Sequence, residues 1–121
     1  MGKSNGFRDL EVWQLAKSIA IDIYKITENF PSKEQFGLTN QIRRCAVSIS
    51  SNICEGSARG SNADFARFIS IALGSLAELE NQLIIALEIG FLKNEDYTPL
   101  EKKLISTGKM LKALKYSMQK K

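Results

Sequence analysis

The sequence predicts an all-α protein, an antiparallel up-and-down four-helix bundle in one domain. Three observations carry this. Apolar residues recur at spacings of three and four through most of the 121 residues, and no stretch keeps the alternation of a half-buried strand. The two prolines and the Gly, Ser and Asn clusters fall between the periodic segments, so the connections are short and successive helices run antiparallel. The composition, 44% hydrophobic and 25% charged, is that of a globular chain long enough for a single core. The domain is taken as 1–121, with 1–8 and 119–121 expected to be flexible.

The first helix is expected from about 10 to 29, with Asp9 as its N-cap. Val12, Ala16, Ile19, Ile23, Ile26 and Phe30 form its bundle stripe, and Pro31 ends it because the residue before a proline avoids the α region. Ser32-Lys-Glu-Gln35 has the form of a capping box. The second helix should run from about 37 to 58, with Gly60 at its left-handed C-terminal position. Ser61-Asn-Ala-Asp64 caps the third helix, whose stripe is Phe65, Ile69, Ala72, Leu76, Leu79, Leu83 and Ala86, continuing to Gly90. Beyond residue 82 this helix is apolar on nearly every side, which implies that it is covered on every side. Thr98-Pro99 is read as the start of the fourth helix, with Leu100, Leu104, Thr107, Leu111, Leu114 and Met118 inward.

The second helix carries two adjacent stripes. Leu38, Ile42, Cys45, Ala46, Ile49 and Ile53 are apolar or small; Gln41, Arg44, Ser48, Asn52, Glu55 and Arg59 lie beside them. Polar groups that border a core form either a hydrogen-bonded seam to a neighbouring helix or the lining of a site. In the seam reading, antiparallel positions that sum to about 122 face each other. Arg44 then meets Glu78 as a partly buried pair, Glu55 meets Arg67, Gln41 meets Gln82, and Ser48 meets Gly74 and Ser75, small enough for close backbone approach. In the site reading Glu55 is a base near Ser48 or Asn52. The chain has no histidine, no activated nucleophile is recognisable, and no glycine-rich phosphate loop follows a strand, so the expectation is no enzyme, no cofactor and no metal. Cys45 and Cys54 lie about half a turn out of phase and roughly 13 Å apart along one helix, too far for a disulfide, and read as small apolar packers.

Charge suggests partners. The net charge is +4, and residues 102–121 hold seven lysines and no acid. These lysines occupy the outer circumference of the fourth helix without focusing on a single line. They fit an acidic partner such as RNA, with Arg59, Lys102, Lys109 and Lys112 as binding residues; they equally fit a solvated helix whose cations complement its C-terminal dipole. Trp13 and Tyr24 look committed to packing, so base stacking is expected to contribute little. Val47 and Cys54, on the outer side of the second helix, together with Ile85 and Ile89 at the apolar end of the third, suggest a self-association surface. No unbroken apolar run of membrane-spanning length and no signal peptide is visible, so a cytoplasmic protein is expected.

Phe7-Arg-Asp-Leu-Glu-Val-Trp13, Gly37-Leu-Thr-Asn-Gln-Ile-Arg-Arg44, Ser48-Ile-Ser-Ser-Asn-Ile-Cys-Glu-Gly56, Phe68, Ala72-Leu-Gly-Ser-Leu-Ala-Glu-Leu-Glu80 and Gly90-Phe-Leu92 resemble the bacterial four-helix-bundle proteins encoded in intervening sequences of large-subunit rRNA genes. The resemblance spans about residues 7–118. It departs from the family at Ser50, where proline is usual, and at Cys45 and Cys54, where alanine is common. It implies a small cytoplasmic bundle that assembles into a ring, a homopentamer. The chain is also similar to the accessory variability-type protein of diversity-generating retroelements, which binds reverse transcriptase and nucleic acid. No catalytic residues come with the resemblance.

Overall fold

The computed structural model describes residues 6–120. Within them the chain forms a short 3-10 turn, Gly6–Asp9, then α1 (Glu11–Thr27), a second 3-10 turn (Ser32–Glu34), α2 (Leu38–Ser57), α3 (Asn62–Glu88) and α4 (Asn94–Lys120), with no strand among the described residues. Residues 6–8 belong to the first turn and 119–120 continue α4. Residues 1–5 and Lys121 lie outside the described residues. Helices pack in cyclic order: α1 on α2, α2 on α3, α3 on α4 and α4 on α1.

The predicted stripes are the core. Ile19, Ile23, Ile42, Ile49, Ile53, Ile69, Leu79, Leu83 and Leu111 are fully buried, and Ala16, Ala46, Ala72 and Ala86 let the helices approach between them. Phe30 and Phe91, ring centroids 5.8 Å apart, close one end of the bundle. Thr107 is buried in the α4 stripe because its hydroxyl donates to Lys103 O at 2.7 Å, which leaves no polar group unmatched.

Helix ends depart from the expected chemistry at three places. Asp9 is in the first 3-10 turn and Leu10 is the N-cap of α1, with no side-chain cap. Ser32-Lys-Glu-Gln35 does not close a capping box; the Glu34 carboxylate instead reaches forward and accepts Leu38 N–H at 3.3 Å, so it caps α2. α4 begins at Asn94, not at Thr98-Pro99. Lys93 O accepts from Asp96 N and Tyr97 N, and the extra turn carries Tyr97 into the core. Glu95 and Asp96 favour that start at the positive end of the helix dipole, and Pro99 is tolerated because the carbonyl it leaves unpaired, on Glu95, is in an exposed turn.

Other ends follow the sequence. Ser61 Oγ accepts Asp64 N–H at 3.1 Å and caps α3. Gly60 and Gly90 have φ of 89° and 87°, the left-handed positions after α2 and α3. At the second, Phe91 N–H bonds Ala86 O and Gly90 N–H bonds Leu87 O, a Schellman arrangement.

Two polar ties fasten α1 that the apolar pattern did not announce. Arg43 of α2 donates from Nε to Thr27 Oγ1 at 2.8 Å and from Nη2 to Tyr24 O at 3.4 Å, with its guanidinium 4.7 Å from the Tyr24 ring centroid. It therefore bonds one last-turn carbonyl of α1, Tyr24 O, and places a cation at the negative end of that helix. Lys103 of α4 pairs with Asp22 at 2.6 Å, both half-buried.

A close helix approach lies at Gly56, where a side chain would put Cβ 2.7 Å from Phe68 Cβ. Gly74, where close approach was expected, faces open space. Gly56→Ala should therefore destabilise by about 1–3 kcal/mol, since Phe68 Cβ cannot move without its backbone. Gly74→Ala should be neutral or stabilise by up to about 1 kcal/mol, the helix-propensity difference. Urea unfolding of both variants checks the pair; equal effects would contradict this placement of the contact.

Candidate functional site

The polar row of α2 does border α3, but it is a seam of small groups, not of charges. Ser48 Oγ and Ser75 Oγ share a hydrogen bond of 2.9 Å, and the Cys45 thiol donates to Ser75 O at 3.0 Å. These bonds cross between the helices at the expected antiparallel register. Asn52 stays on its own helix, donating from Nδ2 to Ser48 O and Ser48 Oγ at 2.8 and 3.0 Å.

The charged pairs expected across the seam do not form. Arg44 and Glu78 are both exposed and make no ion pair within 4 Å among the described residues. With Gln41, Ser48, Ser75 and Gln82 they line an open cleft of about 450 Å³. An exposed pair gains little from closing, since solvent screens it and two long side chains lose freedom. Gln41 and Gln82 flank the same cleft without a bond between them, and Gln82 Oε1 is buried without a partner. Glu55 and Arg67 likewise take local partners in place of each other: Arg59 at 3.6 Å from Glu55 and Asp64 at 3.3 Å from Arg67, one helical turn away in each case. Arg59 and Arg67 then stack on the same ring, with guanidinium carbons 4.8 and 4.7 Å from the Phe68 centroid.

No catalytic arrangement emerges from these groups. Glu55 is turned to Arg59, not to Ser48 or Asn52, whose polar atoms bond each other. No cluster of three potential metal-ligating side chains occurs among the described residues. Burial, and secondarily the nearby Glu78 carboxylate, push the Cys45 thiol up to about 11, so it is protonated at neutral pH and is a hydrogen-bond donor, not a nucleophile. Both cysteines are free thiols.

The lysines of α4 are more organised than their spacing suggested. Lys103 turns to Asp22 on α1, and Lys115 is half-buried beside Arg67 in a cleft between α3 and the end of α4. Lys102, Lys109, Lys112 and Lys120 are all exposed, and at 3.6 residues per turn they fall within about 80° of arc on the side of α4 next to α3. Tyr116 and Ile105 are exposed within that arc. Arg59 is at the α2–α3 turn, the end of the bundle that α4 reaches at Lys120, but its charge is already paired with Glu55. Trp13 is packed as expected, edge-on to Phe7 at 4.8 Å. Tyr24 is half exposed but covered by Arg43, Tyr116 is exposed with Lys120 Nζ 5.7 Å from its ring centroid, and Phe36 presents an open ring.

The outer surface also carries unpaired apolar groups. Val47, Ile85 and Ile89 are exposed and Cys54 is half-buried, with Ile71 and Ile84 also exposed on α3 and Phe36 89% exposed before α2. By length and composition α3 could cross a membrane, although 39% of its most apolar stretch is buried in the bundle and Glu78 and Glu80 interrupt it.

Fold and surface together define a small all-α bundle with one cationic face and scattered exposed apolar groups. The chain belongs to the 23S rRNA-intervening sequence protein family, whose model matches residues 8–113. Among solved structures it is similar to a Bacteroides thetaiotaomicron protein of unknown function from the S23 ribosomal protein family. That similarity has 25% identity and a TM-score of 0.79, covering 86% of this chain and 94% of the other. Comparison with curated proteins gives no match.

The thiol offers a direct check of the seam. Its unfolded form ionises near the ordinary 9.0 and its folded form near 11, so rising pH favours the unfolded state. The stabilisation is complete below about pH 9 and lost as pH passes about 11. Tyr97, also raised by burial and by Glu101 and Glu80, works in the same direction. Cys45→Ala should therefore lose less stability between pH 9 and 11 than the unaltered chain, while Tyr97 contributes equally to both. Parallel curves in urea titrations across that range would contradict the buried thiol.

Proposed function

We propose that this protein is a non-enzymatic, cytoplasmic, homo-oligomeric helical module that binds RNA weakly and with little sequence preference through the outer face of α4. The observation that carries the reading is the exposed row Lys102, Lys109, Lys112 and Lys120, without a carboxylate partner among the described residues while Lys103 and Arg59 are held by carboxylates. The family's description, which refers to 23S rRNA intervening sequences, supports an RNA context. Arg59 is at best an auxiliary contact. Affinity then rests on counterion release. Four phosphate contacts per chain give a slope of about −3 in log affinity against log salt for a single strand. Assembly into a ring multiplies those contacts and raises avidity.

A second reading is a protein-interaction assembly whose lysines only keep it soluble. The exposed Val47, Ile85, Ile89 and Phe36 favour it, since they would be covered by other protein. One comparison separates the two. Lys102, Lys109 and Lys112 changed together to glutamate should abolish RNA binding in anisotropy titrations without changing the mass seen by light scattering. Binding indifferent to that reversal, or no binding at low salt, would leave the interaction assembly.

Self-association has its own test. Val47→Glu or Ile85→Glu should reduce the particle to smaller species in sedimentation velocity, with helicity kept because both sites are exposed. A strict monomer at tens of micromolar before mutation would remove the oligomer from the reading.

A further inference from the structure

The cationic face of α4 borders an open groove of about 420 Å³ between α3 and α4. Its floor is apolar: Leu73, Leu76 and Ala77 from α3 face Leu104 and Ile105 from α4. Gly108 keeps that floor uncovered, since a Cβ there would already stand 3.4 Å from Leu76 Cδ2. Lys109 and Lys112 form one rim, and Glu80 stands at the other. One turn beyond Lys112 is Tyr116, 65% exposed, with Lys120 Nζ 5.7 Å from its ring centroid. Gly108 and Tyr116 are roughly 12 Å apart along the helix, so groove and ring are successive stations on one row of lysines.

A surface that gripped only phosphates would need the lysines and nothing else. An unstacked nucleobase needs an apolar or aromatic platform for its face, an acceptor for its amino edge, and cations within reach of its phosphate. All three stand here within a few turns. An acidic amphipathic helix would also match the lysines and the apolar floor, but such a helix makes no use of the exposed Tyr116 ring.

We propose that the α3–α4 groove and Tyr116 are base-seating stations for a single-stranded nucleic acid whose phosphates follow Lys102, Lys109, Lys112 and Lys120. This rests on the RNA reading above and specifies its ligand as unpaired strand, because a duplex keeps its bases stacked inside and can use only the lysines.

Labelled RNAs of equal length, one an unstructured single strand and one a perfect duplex, are titrated by anisotropy at moderate salt. The single strand should bind more tightly. Tyr116→Ala should weaken it roughly fivefold to a hundredfold, the range for one stacked base, while duplex binding changes little. Tyr116→Phe should restore it. Ala77→Phe, which fills the groove from an exposed position, should also selectively weaken the single strand. Circular dichroism and sedimentation of each variant confirm an unchanged fold and assembly. If both substitutions leave single-strand binding intact while the lysine reversal abolishes it, the base stations are wrong and the RNA reading survives. If the unaltered protein binds neither RNA at low salt, both fall. Tighter binding of a glutamate-rich amphipathic helical peptide than of RNA, lost in Ala77→Phe, would overturn the proposal in favour of a protein ligand.

Discussion

The close approach of α2 to α3 is the constraint on which the rest of the bundle depends. At Gly56 the helices come so near that only a hydrogen atom fits against Phe68, and at Ser48 and Cys45 short side chains bond Ser75. Neutral hydrogen bonds of this kind contribute about 1 kcal/mol each, so they do not drive the association. The packing of Ile42, Ile49 and Ile53 against Ile69, Leu79 and Leu83 does that. What the small polar groups supply is mutual hydrogen bonding of Ser48, Cys45 and Ser75 at a spacing where larger ones would not fit.

That spacing sets the positions of the charges. Because the seam is filled by serine, thiol and backbone, Arg44 and Glu78 line an open cleft instead of meeting inside. Arg59 and Arg67 fold onto Phe68, each with a carboxylate one turn away. On the other side of the bundle, Arg43 caps the end of α1 and Lys103 takes Asp22. Each of these ties uses a cation that composition alone would have counted toward a binding surface. Of the α4 lysines, Lys102, Lys109, Lys112 and Lys120 share one exposed face beside the α3–α4 groove.

Membership in the 23S rRNA-intervening sequence protein family and the likeness to a solved bundle of unknown function describe what kind of object this is. A four-helix bundle serves many roles, so a role has to be argued from its surfaces. Here those surfaces divide between a cationic face with an apolar groove and an exposed aromatic ring, and a scatter of exposed isoleucines on α3 with Val47 on α2. In the proposed function the first is taken as a nucleic-acid contact and the second as a protein contact. A ring-forming RNA module would use both.

Periodicity by itself determined the helix count, the core stripes, the Ser61 cap and the glycine stops at 60 and 90, because each depends on residues within about one turn of one another. The register of α2 on α3 was also legible, since a short turn leaves antiparallel helices little freedom to slide. Which groups bond across that register was not. Two side chains at facing positions can meet or diverge, and each can prefer a neighbour on its own helix, as Glu55 and Arg67 do. The start of α4 was misplaced because Pro99 is a strong local signal, and the burial of Tyr97 that outweighs it exists only once α4 is packed. The same holds for the lysine face. Seven lysines in a row of twenty residues spread around a helix until Asp22 on α1 and the cleft beside Arg67 take Lys103 and Lys115 out of the count. Local order is written in spacing; the pairing of charges is a competition among partners that only the folded chain brings together.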